Sequence, residues 1–133
     1  MKISTLSRYG LRAVIYLAKK GAVCSVKEIS EKEKISFYYL EKIFNRLKKS
    51  KLVKTKRGIY GGFYLAKKPE KITVKQIIQA IEGNFLPLPC QTKREKCQLI
   101  RICLAKNLWK KIQNQVYQIL DSITLKDLID KND

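Results

Sequence analysis

Ser36-Phe37-Tyr38-Tyr39-Leu40-Glu41-Lys42-Ile43-Phe44-Asn45-Arg46-Leu47-Lys48-Lys49 is the stretch that decides the fold. Ser36 is the residue type that caps a helix, and Leu40, Ile43, Phe44 and Leu47 follow the i, i+3, i+4, i+7 spacing of one buried face. The opposite face then carries Tyr38, Glu41, Lys42, Asn45 and Lys49. Just upstream, Ser25-Val26-Lys27-Glu28 has the serine and glutamate spacing of a capping box and opens a short helix running to about Lys34, with a brief turn at Ile35. Two short helices joined by a tight turn, the second offering long polar side chains outward, make a helix-turn-helix whose second helix can enter a major groove. Lys42 and Asn45 have donors suited to base edges, and Glu41 can accept from a cytosine amino group.

Downstream, Leu52 to Lys56 alternates apolar and polar residues as a strand does, and Phe63 to Ala66 is its expected partner. Between them, Arg57-Gly58-Ile59-Tyr60-Gly61-Gly62 has the glycines of a tight turn, so the pair forms a β-hairpin wing with a basic tip. Neither the lysine nor the serine or threonine of a P-loop follows these glycines, which disfavours a phosphate cradle. Upstream of the stretch, Ser7 to Lys20 is predicted as a helix through Leu11, Val14, Ile15 and Ala18, stopped by Gly21.

Pro69 closes the wing, and Thr73 starts a helix through Ile77, Ile78 and Ile81 that Gly83 ends. Asn84 to Pro89 is a loop. Leu104, Leu108, Trp109, Ile112, Val116, Ile119, Leu120 and Ile123 then line one face of a long helix, and Thr124 caps a short terminal helix ending near Ile129. The long helix exceeds what so small a domain covers alone, and a helix-turn-helix usually recognises two half-sites, so a homodimer built on this helix is expected. The fold class is therefore mainly α with a small β-hairpin wing. Its parts are a winged helix-turn-helix domain (1–83), a cysteine-containing loop (84–103), and a dimerisation helix with a C-terminal helix (104–133).

Composition agrees. The 133 residues, 45% hydrophobic, support one good core, and the net charge of +18, from 29 Lys and Arg against 11 Asp and Glu, points to an anionic polymer. From Lys42 to Pro69 there is no acid, while Lys42, Arg46, Lys48, Lys49, Lys51, Lys54, Lys56, Arg57, Lys67 and Lys68 are basic. That is the footprint of phosphate binding, and double-stranded DNA is the expected partner. The start of the chain lacks a secretory signal pattern, and no run of about 20 apolar residues exists to cross a bilayer. A cytoplasmic protein without membrane association is expected, whose four cysteines are thiols or metal ligands rather than disulfides. With no histidine and no clustered acids, the residues of a catalytic constellation are missing, so an enzyme is not expected.

Cys90, Cys97 and Cys103 stand with six and five residues between neighbours, unlike the C-x2-C pairs of a zinc knuckle. Thiolates are favoured soft ligands for an iron-sulfur centre, and Lys93, Arg94, Lys96, Arg101 and Lys106 offset the anionic charge of such a site. The same basic surroundings suit a redox-sensing thiol. Cys24, far from the other three, is expected to be a small buried apolar residue.

Over nearly its whole length the chain resembles the winged-helix regulators related to the iron-sulfur cluster assembly regulator. The resemblance is carried by Ser7-Arg8-Tyr9, Ile35-Ser36, Tyr39-Leu40-Glu41, Arg46-Leu47, Leu52-Val53, Arg57-Gly58 and Gly61-Gly62. It continues through Cys90-Gln91, Cys97-Gln98, Cys103-Leu104, Leu108-Trp109 and Ile123-Thr124-Leu125. It implies a transcription regulator whose reading helix enters the major groove, with Ser36, Tyr39, Glu41 and Lys42 at the DNA and Arg57 of the wing in a minor groove. Tyr38, Asn45, Arg46, Lys49 and Tyr60 complete the candidate DNA-binding set. Tyr38 and Lys42 depart from the serine and glutamine of the family regulator.

The resemblance also implies a 2Fe–2S or 4Fe–4S cluster ligated by Cys90, Cys97 and Cys103. The family's histidine ligand is replaced by Lys106, and Arg8 stands where nitric-oxide-sensing relatives have an aspartate. Glu95, Glu82, Cys24 or a small molecule are the remaining candidates for a fourth ligand. Operator binding controlled by this cluster, in response to iron-sulfur status, redox or nitric oxide, is the expected function. Alternatives are a cluster-free regulator of the same fold responding to thiol redox or a protein partner, and a small iron-sulfur redox protein. The last leaves the acid-free basic stretch and the wing unexplained.

Overall fold

A computed structural model describes residues 3–84 and 97–131. Helix α1 (Thr5–Lys20) starts ahead of the predicted Ser7, because Ser4 is the capping residue and accepts from the Ser7 N–H at 3.1 Å. It ends at Gly21. Helix α2 (Val26–Glu33) is capped by Ser25, which accepts from the Glu28 N–H, but the reciprocal half of the expected capping box is replaced. The Glu28 carboxylate accepts from the Tyr16 hydroxyl at 2.6 Å and pairs with Lys20 at 3.0 Å. Tertiary partners on α1 have drawn it away from its own helix terminus.

Helix α3 (Phe37–Lys49) begins at Ser36, and Leu40, Ile43, Phe44 and Leu47 are each 0% exposed, the stripe expected from their spacing. Burying each such side chain fully is worth about 1.5–3 kcal/mol, so four on one face fix the helix's rotation about its axis. Strands β1 (Val53–Lys56) and β2 (Gly62–Leu65) form an antiparallel hairpin in the register Val53↔Leu65 through Lys56↔Gly62. Phe63 exchanges backbone hydrogen bonds with Cys24 at 2.9 and 2.8 Å, which ties the hairpin to the α1–α2 connection. Gly62 is required there, since a Cβ on it would lie 2.1 Å from the Cys24 carbonyl oxygen. Phe63 also stacks on Phe44, with ring centroids 4.6 Å apart, so the wing is packed onto α3.

After a short 3-10 turn at Pro69–Lys71, helix α4 (Val74–Glu82) carries a complete capping box between Thr73 and Gln76 and stops at Gly83. Helices α5 (Lys106–Ser122) and α6 (Leu125–Asp130) follow, the latter with a second capping box between Thr124 and Asp127. The core gathers residues of α1, α2, α3, α4 and β1 with Cys24, Ile35, Leu52 and Ile72, and it also includes Leu125 of α6. Backbone bonds from Val74 N–H to Ile123 and from Leu125 N–H to Ile72, both 2.9 Å, close this junction. The division into 1–83 and 104–133 therefore needs correction at its end: α6 belongs to the winged-helix core. Helix α5 is different, with no buried residue and with Leu108, Trp109 and Ile119 exposed. Among the described residues no helix is long and apolar enough to cross a membrane.

Candidate nucleic-acid interface and thiol segment

Because the apolar stripe of α3 is fully used, its other face is available to solvent. Tyr38, Tyr39, Glu41, Lys42, Asn45 and Lys49 are all exposed. An aromatic chain organises the first turn: Tyr9 of α1 meets Tyr39 edge-on at 5.5 Å, Tyr39 meets Tyr38 at 5.8 Å, and the Lys42 ammonium lies 5.3 Å from the centre of the Tyr38 ring. Such cation–π contacts are worth about 0.5–1 kcal/mol when exposed, enough to bias the pose of Tyr38 and Lys42. Arg46 has another task. It donates from its guanidinium to the Ile81 carbonyl in the last turn of α4, so it braces the reading helix from behind.

The hairpin extends the same basic surface. Lys54, Lys56, Arg57, Ile59 and Tyr60 are exposed, and an open groove between the end of α3 and the wing is lined by Lys48, Lys51, Lys54 and Tyr64. Among the described residues the ion pairs Arg12–Glu33, Lys20–Glu28 and Lys126–Asp130 all lie outside α3 and the hairpin. The positive charge of residues 42–68 is thus uncompensated, which suits a phosphate backbone. Two contributors escaped the sequence reading. Tyr9 supports Tyr39 from another element, a contact that no local pattern encodes. Ile59 had a legible signal, a β-branched apolar residue in a turn.

The thiols are arranged unequally. Cys97 is exposed and Cys103 half-buried, both free, while Cys90 and Glu95 lie outside the described residues. Residues 97–102 form successive turns, with Ile100 N–H to Cys97 at 3.1 Å and Ile102 N–H to Leu99 at 3.0 Å. Lys106 opens α5, and its ammonium donates to the Arg101 carbonyl at 3.3 Å. Arg8 donates to the Thr5 hydroxyl. Glu82, at the end of α4, has a buried Oε1 without a hydrogen-bond partner. Cys24 is fully buried in the winged-helix core, and burial pushes its thiol up to about 11, as befits a structural cysteine. Among the described residues no three Cys, Asp or Glu are placed to hold a metal ion.

Residues 3–131 match the family described as Rrf2, iron-dependent transcriptional regulator. The chain belongs to the Rrf2 family. It is 38% identical over 135 residues to the HTH-type transcriptional regulator CymR of Bacillus subtilis, spanning 100% of this chain and 93% of CymR. Protein rrf2 of Nitratidesulfovibrio vulgaris is 34% identical over 131 residues, spanning 97% of this chain and 87% of that protein. The solved structure of B. subtilis CymR, described as the global cysteine regulator, superposes with a TM-score of 0.81 and covers 100% of this chain and 99% of that one. That of T. potens IscR superposes with a TM-score of 0.80 at 34% identity, covering 98% of this chain and 87% of that one. Rrf2-family relatives are thus named as regulators, and the winged-helix architecture is common to them. This member is a DNA-binding transcriptional regulator rather than an enzyme.

Proposed function

We propose that this Rrf2-family regulator acts as a homodimer in which each α3 enters a major groove, the wing follows the adjacent minor groove, and the state of Cys90, Cys97 and Cys103 sets the affinity for DNA. The observation that carries the reading is that the acid-free stretch starting at Lys42 folds into most of α3 and the hairpin, where the exposed Lys42, Lys48, Lys49, Lys51, Lys54, Lys56 and Arg57 take no part in the ion pairs of the described residues. Ser36, Tyr38, Tyr39, Glu41, Lys42, Asn45, Lys49, Arg57 and Tyr60 are the contacting residues, with Arg46 as their brace. The exposed apolar face of α5 takes its counterpart from the second copy, a use that explains Leu108, Trp109 and Ile119 on its surface.

The thiol segment lies immediately before α5, so a change there acts on the dimer helix. The donor set suits an iron-sulfur cluster in kind: free thiols at Cys97 and Cys103 and a third cysteine seven residues earlier. Cys90, Cys97 and Cys103 would hold the group as thiolates, and when bound it supplies a labile redox centre. Lys106, which stands at the position of the missing histidine, donates to the Arg101 carbonyl instead.

The test is purification without oxygen, followed by iron and sulfide analysis and a visible spectrum. Cluster-bearing protein is expected to lose its visible absorbance when all three cysteines are replaced by alanine, and loaded and stripped forms are expected to bind one duplex with different affinities. Equal affinities would end the proposed control. The relatedness to CymR supports a second reading, in which the thiols respond to redox without a cluster. Iron-free protein whose DNA affinity changes on thiol oxidation would select that reading.

A further inference from the structure

The wing tip carries two side chains that the fold has no use for. Gly61 N–H bonds the Gly58 carbonyl at 3.0 Å, so Gly58 to Gly61 form a β-turn with Ile59 and Tyr60 at its corners. Turn corners favour proline, glycine, asparagine, aspartate or serine, and a β-branched side chain gains nothing there. Ile59 is 97% exposed and Tyr60 89%, so neither packs against its own domain. The turn that presents them is tightly constructed. A Cβ on Gly61 would fall 2.2 Å from the Lys56 carbonyl oxygen, and Gly58 has φ 112°. The result is an apolar pair at the apex of a short hairpin whose first strand leads into it through Lys54, Lys56 and Arg57.

We propose that Ile59 and Tyr60 form a wedge that enters the minor groove and partly unstacks one base step, so that this wing selects DNA by deformability. The inference rests on the DNA reading above and deepens it. Charge complementarity names the occupant: an apolar tip adjoined by the cations of β1 suits a polyanion with an apolar interior, which stacked bases provide. Arg57, exposed and immediately before the turn, would bring its guanidinium to the same groove. Ile59 and Tyr60 offer bases no donor beyond the tyrosine hydroxyl, so their gain comes from contact with base faces and sugars. Unstacking is least costly at pyrimidine–purine steps, and those are the steps the wing should prefer.

The experiment uses the full chain and a pool of randomised duplexes, from which bound sequences are selected, followed by affinity and salt titrations on the recovered consensus. Fluorescence of 2-aminopurine placed at the wing's step reports unstacking. The expected result is a pyrimidine–purine step in the consensus and increased 2-aminopurine emission on binding. Both should be lost in the double variant I59S/Y60S, together with roughly tenfold in affinity and no change in salt slope. Arg57→Ala should instead flatten the salt slope by about one phosphate contact. A double variant that selects the same consensus with unchanged emission overturns the wedge, as does one that changes only the oligomeric state. If those results came while Lys42→Ala still abolished binding, the DNA reading would stand without the wedge. Failure of the unaltered chain to retain any duplex would overturn both. The substituted residues lie outside the core, and an unchanged melting temperature would show that the fold is intact.

Discussion

At Glu28, one carboxylate is shared by the Tyr16 hydroxyl and the Lys20 ammonium, and it holds α2 against α1 where the reading motif begins. The Tyr16 hydrogen bond, then that from Lys20, keeps the Glu28 carboxyl below its ordinary value of 4.5. A depressed carboxylate stabilises the fold fully above that ordinary value and loses its contribution as pH falls through the lowered one. Glu28→Gln is therefore expected to melt below the unaltered protein at neutral pH, with the gap closing on acidification below 4.5. A gap that stayed constant with pH would assign the effect to packing. Sequence alone offered the local use of this residue, as the second half of a capping box. Its tertiary use was not legible, because Tyr16 and Lys20 belong to a helix whose approach is set by the core.

Among the elements, the wing depends on a few close backbone contacts. Gly62→Ala would push a methyl group into the Cys24 carbonyl, so it is expected to cost about 1–3 kcal/mol and to weaken DNA binding by displacing the tip. Amide exchange is the readout, and Phe63, bonded to Cys24, should lose protection before the core of α3 does. A variant with native protection at Phe63 would show that the bridge tolerates the side chain. The helices were largely legible in the sequence: Leu40, Ile43, Phe44 and Leu47 encode α3 by period, and Thr73 with Gly83 marks both ends of α4. The Cys24–Phe63 bridge was not, since a single pair joined across intervening helices leaves no periodic trace. Arg46 was legible only as a cation. Its role as a brace depends on where the Ile81 carbonyl arrives.

For the whole molecule, order along the chain is a poor guide to which parts share a core. The candidate DNA-reading face falls in one continuous stretch and was legible, whereas Leu125, downstream of the thiol loop and the long helix, is 0% exposed inside the winged-helix core. Leu125→Ala is expected to destabilise that entire unit by about 2–5 kcal/mol. Its unfolding should register together in far-ultraviolet circular dichroism and in the fluorescence of Trp109, the single tryptophan. If Trp109 emission changed first while the helical signal held, α5 and α6 would be unfolding apart from the reading domain.

The same junction gives α5 a mechanical character. Its carboxyl end is clamped by backbone bonds at Ile123 and Leu125, and Tyr117 sits beneath the Lys75 ammonium at 5.3 Å, while residues 107–111 are all exposed. With 17 residues at about 1.5 Å each, the helix is a beam of about 25 Å whose carboxyl end is anchored in the winged-helix core. The cysteines Cys97 and Cys103 stand at its other end. A swing of roughly ten degrees about the clamp would move that end by about 4 Å, a distance comparable with the rise of a base pair. Under the proposed control by the thiols, leverage along α5 would amplify a chemical event too small to reshape the domain.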